Sequence, residues 1–129
     1  MATIPASHRD LIDGANIATF STVGGDGAPQ VTAVWYLTDG DTVVLSLTTD
    51  RQKYKNAVRR PRATLFVIDP TNPFRTLEVR ADTSIEEDPD LAVFDRIVGH
   101  YGQDPATFPA PRDNRVVLRL TPTRVVANG

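Results

Sequence analysis

The sequence predicts a mainly β domain, a small antiparallel barrel of about six strands with two or three flanking helices. Six segments are rich in β-branched and aromatic residues, and Gly, Pro and Asp turns separate them. The length of 129 residues is typical of one domain, so residues 1–129 are expected to form a single unit. Sheets of this size tend to close, because closure removes exposed edges.

The first half of the chain is predicted to be a short helix followed by a three-stranded meander. Ser7 and Asp10 have the spacing of a capping box, and Gly14 would end the helix. The Asp39-Gly40 dipeptide favours a type I′ hairpin between the second and third strands. The three strands are predicted at residues 16–23, 30–37 and 42–49.

The second half alternates helices with strands. Residues 50–60 lose the period of two and carry long, straight side chains, which predicts a helix capped by Thr48, Thr49 or Asp50. Residues 88–102 place apolar side chains at helical spacing and predict a longer helix. The remaining strands are predicted at residues 62–69, 75–85 and 114–127, the last of them interrupted at Pro122.

Composition excludes several kinds of site. The chain has no cysteine, which excludes disulfides, thiolate nucleophiles, iron–sulfur clusters and Cys-type zinc sites. His8 and His100 lie in no catalytic or metal-binding spacing, so we expect neither a catalytic side chain nor a metal. The first ten residues lack a secretory leader, and no apolar run is long enough to span a bilayer. We therefore expect a cytoplasmic protein without a membrane partner.

Positive charge is concentrated in one short window. Six of the 14 basic residues fall within residues 51–62, which include both lysines, Lys53 and Lys55. Cations at the start of a helix oppose its dipole, whereas a bound phosphate would accept hydrogen bonds from Thr48, Thr49, Arg51 and Lys53 together. The pattern indicates an anion site at this helix start, and a solvated basic helix face is the alternative.

Two adjacent aromatic residues in the second predicted strand must point to opposite sides of the sheet. These are Trp35 and Tyr36. One of them is expected to pack in the core. The other would either flank a flat ligand or cover a dimer interface.

The order of these segments resembles a known family. Residues 18–70 contain D-G-x-P-x-V-x-x-V-W at Asp26–Trp35 and K-x-x-N followed by arginines and proline at Lys53–Pro61; the later segment Val116–Val125 also fits. Together they resemble the split-barrel flavin- and deazaflavin-binding proteins, the group that includes pyridoxamine 5′-phosphate oxidase. Within that group the chain is most similar to the short actinobacterial coenzyme F420-dependent reductases.

The resemblance implies a homodimer of six-stranded FMN-binding split barrels, with a cofactor in each cleft between subunits. It also implies an oxidoreductase that transfers hydride from reduced F420 to an unsaturated or conjugated small molecule. The expected ring contacts are Thr32, Val34 and Trp35. The expected contacts to the phosphate and the acidic tail of F420 are Thr48, Thr49, Arg51, Lys53, Asn56 and Arg60.

Several alternatives remain open from the sequence. Vitamin B6 oxidases carry a basic residue where this chain has Gln30 or Thr32, so vitamin B6 oxidation is not expected. The same fold could instead serve an FMN-dependent oxidase or reductase, or a non-catalytic binder of F420, flavin or haem. Nucleic-acid binding through residues 51–62 is the weakest alternative, because the net charge is −2 and few aromatic residues lie near the patch.

Overall fold

The computed structural model describes all residues, 1–129. A single turn of 3₁₀ helix, Ala6–His8, precedes the first α-helix. The helices are α1 Arg9–Asp13, α2 Gln52–Arg59 and α3 Ala92–His100. The strands are β1 Ala18–Val23, β2 Pro29–Val34, β3 Leu37–Asp39, β4 Thr42–Thr48, β5 Arg62–Asp69, β6 Asn72–Glu87 and β7 Arg115–Asn128.

All seven strands belong to one antiparallel sheet with the order β2-β1-β5-β6-β7-β4-β3. Its two edge strands, β2 and β3, are separated in the chain by only Trp35 and Tyr36. The sheet therefore curls until its edges adjoin, but no hydrogen bonds close it. The mainly β, antiparallel class is confirmed, whereas the prediction of six strands in a closed barrel is wrong.

The extra strand arises where the second predicted strand breaks. Residues 30–37 were expected to be continuous, but β2 pairs with β1 and β3 pairs with β4 at the opposite end of the sheet. The chain has to change partner between them. At that point the Tyr36 backbone N–H donates to the Tyr101 hydroxyl at 3.3 Å, in place of a strand neighbour.

The core lies inside the curled sheet. Alternate side chains of the strands point inward, as period-two patterns require. Phe20, Leu65, Leu77 and Leu118 are fully buried there, and Ile12 of α1 packs against the same cluster. His8 lies beside this cluster and its Nε2 donates to the Asn128 carbonyl at 2.8 Å, which ties the two ends of the chain together.

The predicted helix starts are wrong in detail. Ser7 makes no capping hydrogen bond, because its hydroxyl bonds the His8 ring instead. The start of α2 lies later than predicted, since Thr48 is still paired in β4 and Arg51 has extended backbone without any side-chain cap. The start of α3 is satisfied by Asp88, whose carboxylate accepts hydrogen bonds from two backbone N–H groups, those of Val93 and Phe94.

One turn and one irregularity in a strand were predicted from glycine and proline positions. The β3–β4 hairpin turns at Gly40 and Asp41, but only Gly40 has a positive φ, so it is not the predicted type I′ turn. The interruption of the last strand is confirmed as a register shift, because Arg124 pairs with Arg80 and Pro122 pairs with Ala81.

None of the helices is both long and apolar enough to cross a membrane.

Candidate functional site

A groove of about 490 Å³ opens between the edge strand β2, β4 and α3. Its walls come from the end of β2 and the β2–β3 junction, from β4, from the start of α2, from α3 and from the segment that leads into β7. Nine of its 18 lining residues are hydrophobic, and the others include three cations and two carboxylates. A concave surface of this composition suits a small molecule with both a flat and a charged part.

One end of the groove is aromatic. The Trp35 ring stacks on Tyr101 with the centroids 4.6 Å apart and the planes 4° apart, and Phe108 lies 5.3 Å from it. The Tyr101 hydroxyl donates to the Asn16 carbonyl at 2.7 Å, so the stacked pair is fixed in place. Tyr36 points the other way and is buried in the core, which confirms that the two neighbouring rings face opposite sides.

The other end is cationic. Lys53 and Arg51 line the groove beside Thr48, and Lys53 Nζ donates to the Thr32 hydroxyl at 3.3 Å. Neither cation has a carboxylate within 4.0 Å. Burial lowers the pKa of Lys53, and the neighbouring Arg51 lowers it further. A bound anion would relieve both effects, because it compensates the charge that burial disfavours.

A third cation, Arg115, lines the groove and was not predicted from the sequence. Its Nε donates to the Pro111 carbonyl at 2.6 Å, its Nη1 lies 3.3 Å from the Ser46 carbonyl and hydroxyl, and its guanidinium lies 4.1 Å from the centroid of the Phe94 ring. Burial lowers the pKa of Arg115, with further contributions from Arg51 and Arg112. Only the pairing of β4 with β7 brings it here, and local sequence does not give that pairing.

Most of the predicted binding residues meet at this groove. Five of them line it, namely Val34, Trp35, Thr48, Arg51 and Lys53. Thr32 adjoins the groove through its hydrogen bond with Lys53. Thr49 lies just beyond β4 and is held by its backbone N–H to the Asn114 carbonyl at 3.0 Å.

Two predicted binding residues lie away from the groove. The Asn56 side chain is buried on the side of α2 that faces the sheet. Its Nδ2 donates to the Thr22 hydroxyl at 3.1 Å and to Gln30 Oε1 at 3.3 Å. Arg60 lies near Gly25 of the β1–β2 hairpin, with one buried guanidinium nitrogen that has no partner. The structure thus gives Asn56 a role in anchoring α2 to the sheet.

No three His, Asp or Glu side chains lie close enough together to hold a metal ion.

The sequence model of the pyridoxamine 5′-phosphate oxidase family matches residues 4–128. The chain belongs to this family. No curated protein matches it. Among solved structures it is similar to an F420 reductase, with 35% identity, a TM-score of 0.88 and coverage of 95% of this chain and 98% of the reductase. The family resemblance inferred from the motifs is therefore confirmed.

Two further structures share the fold at lower identity. A conserved hypothetical protein from Mycobacterium tuberculosis, Rv2991, is 22% identical with a TM-score of 0.79, and the match covers 99% of this chain and 86% of that one. A putative pyridoxamine 5′-phosphate oxidase from Listeria innocua is 19% identical with a TM-score of 0.69, covering 87% of each chain. The family and the F420 reductase together support the fold of F420- or flavin-related oxidoreductases.

Proposed function

We propose that this protein is an F420-dependent oxidoreductase that reduces an unsaturated or conjugated small molecule in the groove. The observation that carries the proposal is the meeting of a fixed aromatic wall, Trp35 on Tyr101, with the unpaired cations Lys53 and Arg51. A flat ring with a phosphate would satisfy both ends at once. The 35% identity to an F420 reductase supports F420 as the cofactor.

The groove residues fit a phosphate-bearing ring. Lys53 and Arg51 would compensate the phosphate charge, one as a compact ammonium and the other as a fork of N–H donors. The Thr32 hydroxyl can donate a further hydrogen bond to the phosphate, and the Thr48 hydroxyl adjoins the cations and bonds the Asp50 carboxylate. Val34 and Trp35 would border the ring. When bound and reduced, the deazaflavin supplies the hydride.

The chain's own contribution is to bind, orient and exclude water. The stack of Trp35 on Tyr101 gives a rigid wall, since Tyr101 is itself held by Asn16. A rigid wall limits the orientations of a bound substrate and lowers the entropic cost of reaching a reactive geometry. Phe94 and Phe108 add apolar surface that displaces water from this end.

We further propose that two copies of the chain form a homodimer that covers the groove. Exposed apolar side chains lie on β2 and β5 and just before β1, with Val31 58%, Ile68 46% and Ile17 57% exposed. This surface is continuous with the groove through Ala33. A second copy would bury the apolar side chains, which is favourable in proportion to their area. Sedimentation of the purified chain should then give about twice the 14.1 kDa of one copy.

FMN is the alternative cofactor, because the family is that of pyridoxamine 5′-phosphate oxidase. Parallel fluorescence titration of the purified protein with F420 and with FMN separates the two. We expect F420 to bind more tightly. Tighter binding of FMN would change the cofactor and leave the fold assignment intact, whereas binding of neither would contradict the proposal. Tight F420 binding without turnover of any tested substrate would favour a non-catalytic binder.

The role of Lys53 is tested with the chain's two lysines as a matched pair. Lys53→Gln should weaken F420 binding by about 1.5–3 kcal/mol, the range for a hydrogen bond to a charged group. Lys55→Gln removes the same charge two residues away from an exposed position that does not line the groove, so it should change the affinity by well under that amount. Equal effects of the two variants would mean that general surface charge binds the cofactor and that Lys53 has no special role.

A further inference from the structure

The guanidinium of Arg115 is fixed in the wall of the groove. Three contacts to neutral oxygens hold it, to the Pro111 carbonyl and to the carbonyl and hydroxyl of Ser46. The Phe94 ring lies under it at 4.1 Å. An arginine side chain held in this way has already lost most of its rotamer freedom, so a ligand would meet little further ordering cost.

Arg115 has no acidic partner, unlike other arginines that are held by contacts. Arg9, Arg75, Arg80, Arg112 and Arg119 each pair with a carboxylate within 4.0 Å. Asp50 and Asp113 also line the groove, but neither lies within that distance of Arg115. The charge of Arg115 is therefore oriented, partly desolvated and uncompensated.

The backbone of Arg115 pairs with Thr48 at the cationic end, but its guanidinium lies against the aromatic side chains. Phe94, which it covers, lies 6.4 Å from Phe108, and Phe108 lies 5.3 Å from Trp35. Lys53 reaches Thr32 of β2, whereas the Arg115 guanidinium contacts Ser46 of β4 and Phe94 of α3. The two cations share none of these contacts, so the groove offers an anion position at each of them.

We propose that Arg115 binds a carboxylate of the substrate, and that the substrate joins a conjugated or aromatic body to this carboxylate. The inference rests on the proposed function for the Lys53 end, where the cofactor phosphate would bind. Phe94 and Phe108, beside Arg115, would contact the flat body of the substrate, next to the cofactor ring at Trp35. The fork of the guanidinium would donate two parallel hydrogen bonds to the carboxylate.

The single tryptophan of the chain provides the readout. Trp35 lines the groove, and its indole N–H gives one cross-peak in a ¹H–¹⁵N correlation spectrum of the full chain. trans-Cinnamate and its neutral amide, cinnamamide, are titrated as probes, with the protein alone and with saturating F420. We expect cinnamate to bind about tenfold more tightly than cinnamamide, the factor for one charge-assisted contact in a partly open site.

Variants assign that preference to one residue. In Arg115→Gln the affinities for cinnamate and cinnamamide should become equal. Arg115→Lys should retain part of the preference for cinnamate, because lysine keeps the charge but lacks the fork of N–H donors. Arg124→Gln is the matched control, since Arg124 is exposed on the same strand and forms no ion pair, and it should leave the tenfold difference intact. If thermal unfolding shows that Arg115→Gln does not fold, the test uses Arg115→Lys, in which the preference for cinnamate should be smaller than in the wild-type protein.

Three results would overturn the assignment. The first is equal affinity of the two probes for the wild-type protein, and the second is a preference that survives Arg115→Gln. The third is a loss of FMN affinity in Arg115→Gln while the affinity for riboflavin, which lacks the phosphate, is unchanged. That result would show that Arg115 binds the phosphate of the cofactor. Failure of the proposed function has a different signature, because wild-type protein would then bind neither F420 nor FMN, whatever the cinnamate preference.

Discussion

Replacing Asn56 by alanine tests whether this residue holds α2 in place or binds the cofactor. The side chain is 3% exposed, and it links α2 to β1 and β2 through Thr22 and Gln30. Gln52 Nε2 also donates to its Oδ1 at 2.8 Å. Asn56→Ala removes all three hydrogen bonds and leaves a small void under the helix.

The expected loss of stability is about 2 kcal/mol, since each buried hydrogen bond contributes about 1 kcal/mol net and the neighbouring polar groups keep some partners. The Thr22 hydroxyl still lies 3.4 Å from Gln30 Oε1. For a chain of 129 residues the entropy of unfolding is about 0.27 kcal/mol per kelvin, so the Tm should fall by about 7 °C. Thermal unfolding followed by circular dichroism measures this.

Gln52→Ala provides the control for Asn56→Ala. It removes one of the same hydrogen bonds from an exposed position, and the Tm should fall by less than about 3 °C. The folded Asn56→Ala protein should bind F420 with an affinity within about threefold of the wild-type value, a free-energy difference of roughly 0.65 kcal/mol. An unchanged Tm together with a large loss of F420 affinity would refute the structural role and restore Asn56 as a binding residue.

Two further predictions concern the loss of stability at low pH and the backbone conformation at two glycines. Hydrogen bonds from Thr71 and Arg75 lower the pKa of Asp69 to about 2, so its contribution is complete above pH about 4 and is lost as the pH falls toward 2. Asp69→Asn should therefore lower the Tm at pH 7 but have a smaller effect at pH 3; an equal effect at both would show that its charge is unimportant. Gly40→Ala should destabilise by about 1–2 kcal/mol because Gly40 has φ +62°, whereas Gly99→Ala in α3, with open space around it, should stabilise by about 0.5–1 kcal/mol. Chemical denaturation checks both signs, and two changes of the same sign would contradict the backbone argument.

The strands were predicted well from the sequence, because apolar and polar residues alternate along a strand that has one buried face. The strand predicted at residues 62–69 has those bounds in the structure, and Pro122 marks a real irregularity in β7. The break at Trp35 was missed, since it depends on which distant strands β2 and β3 pair with. The caps of α2 were misjudged for a similar reason, because Thr48 stays in β4 through its pairing with Arg115.

The candidate site was partly predictable for the same physical reason. Two short segments supply the predicted residues that line the groove, and their aromatic, hydroxyl and cationic side chains can be recognised from the sequence. These residues are Val34, Trp35, Thr48, Arg51 and Lys53. The opposite wall comes from α3 and the start of β7, which the fold brings against β4 from far along the chain. Arg115 and Phe94 could not be assigned before that pairing was known.

The two named residues of the K-x-x-N motif have different surroundings. The family resemblance implied that Lys53 and Asn56 both contact the cofactor. In the structure the longer Lys53 side chain reaches Thr32 at the groove, whereas the shorter Asn56 side chain is enclosed by β1 and β2. Spacing along a helix gives the face but does not give the depth of burial.

A crystal structure of the protein with F420 tests the central claim most directly. We predict that the phosphate contacts Lys53 and Arg51 and that the deazaflavin ring lies beside Trp35. Density for the phosphate at another surface, such as Arg60 and the β1–β2 hairpin, would contradict the claim.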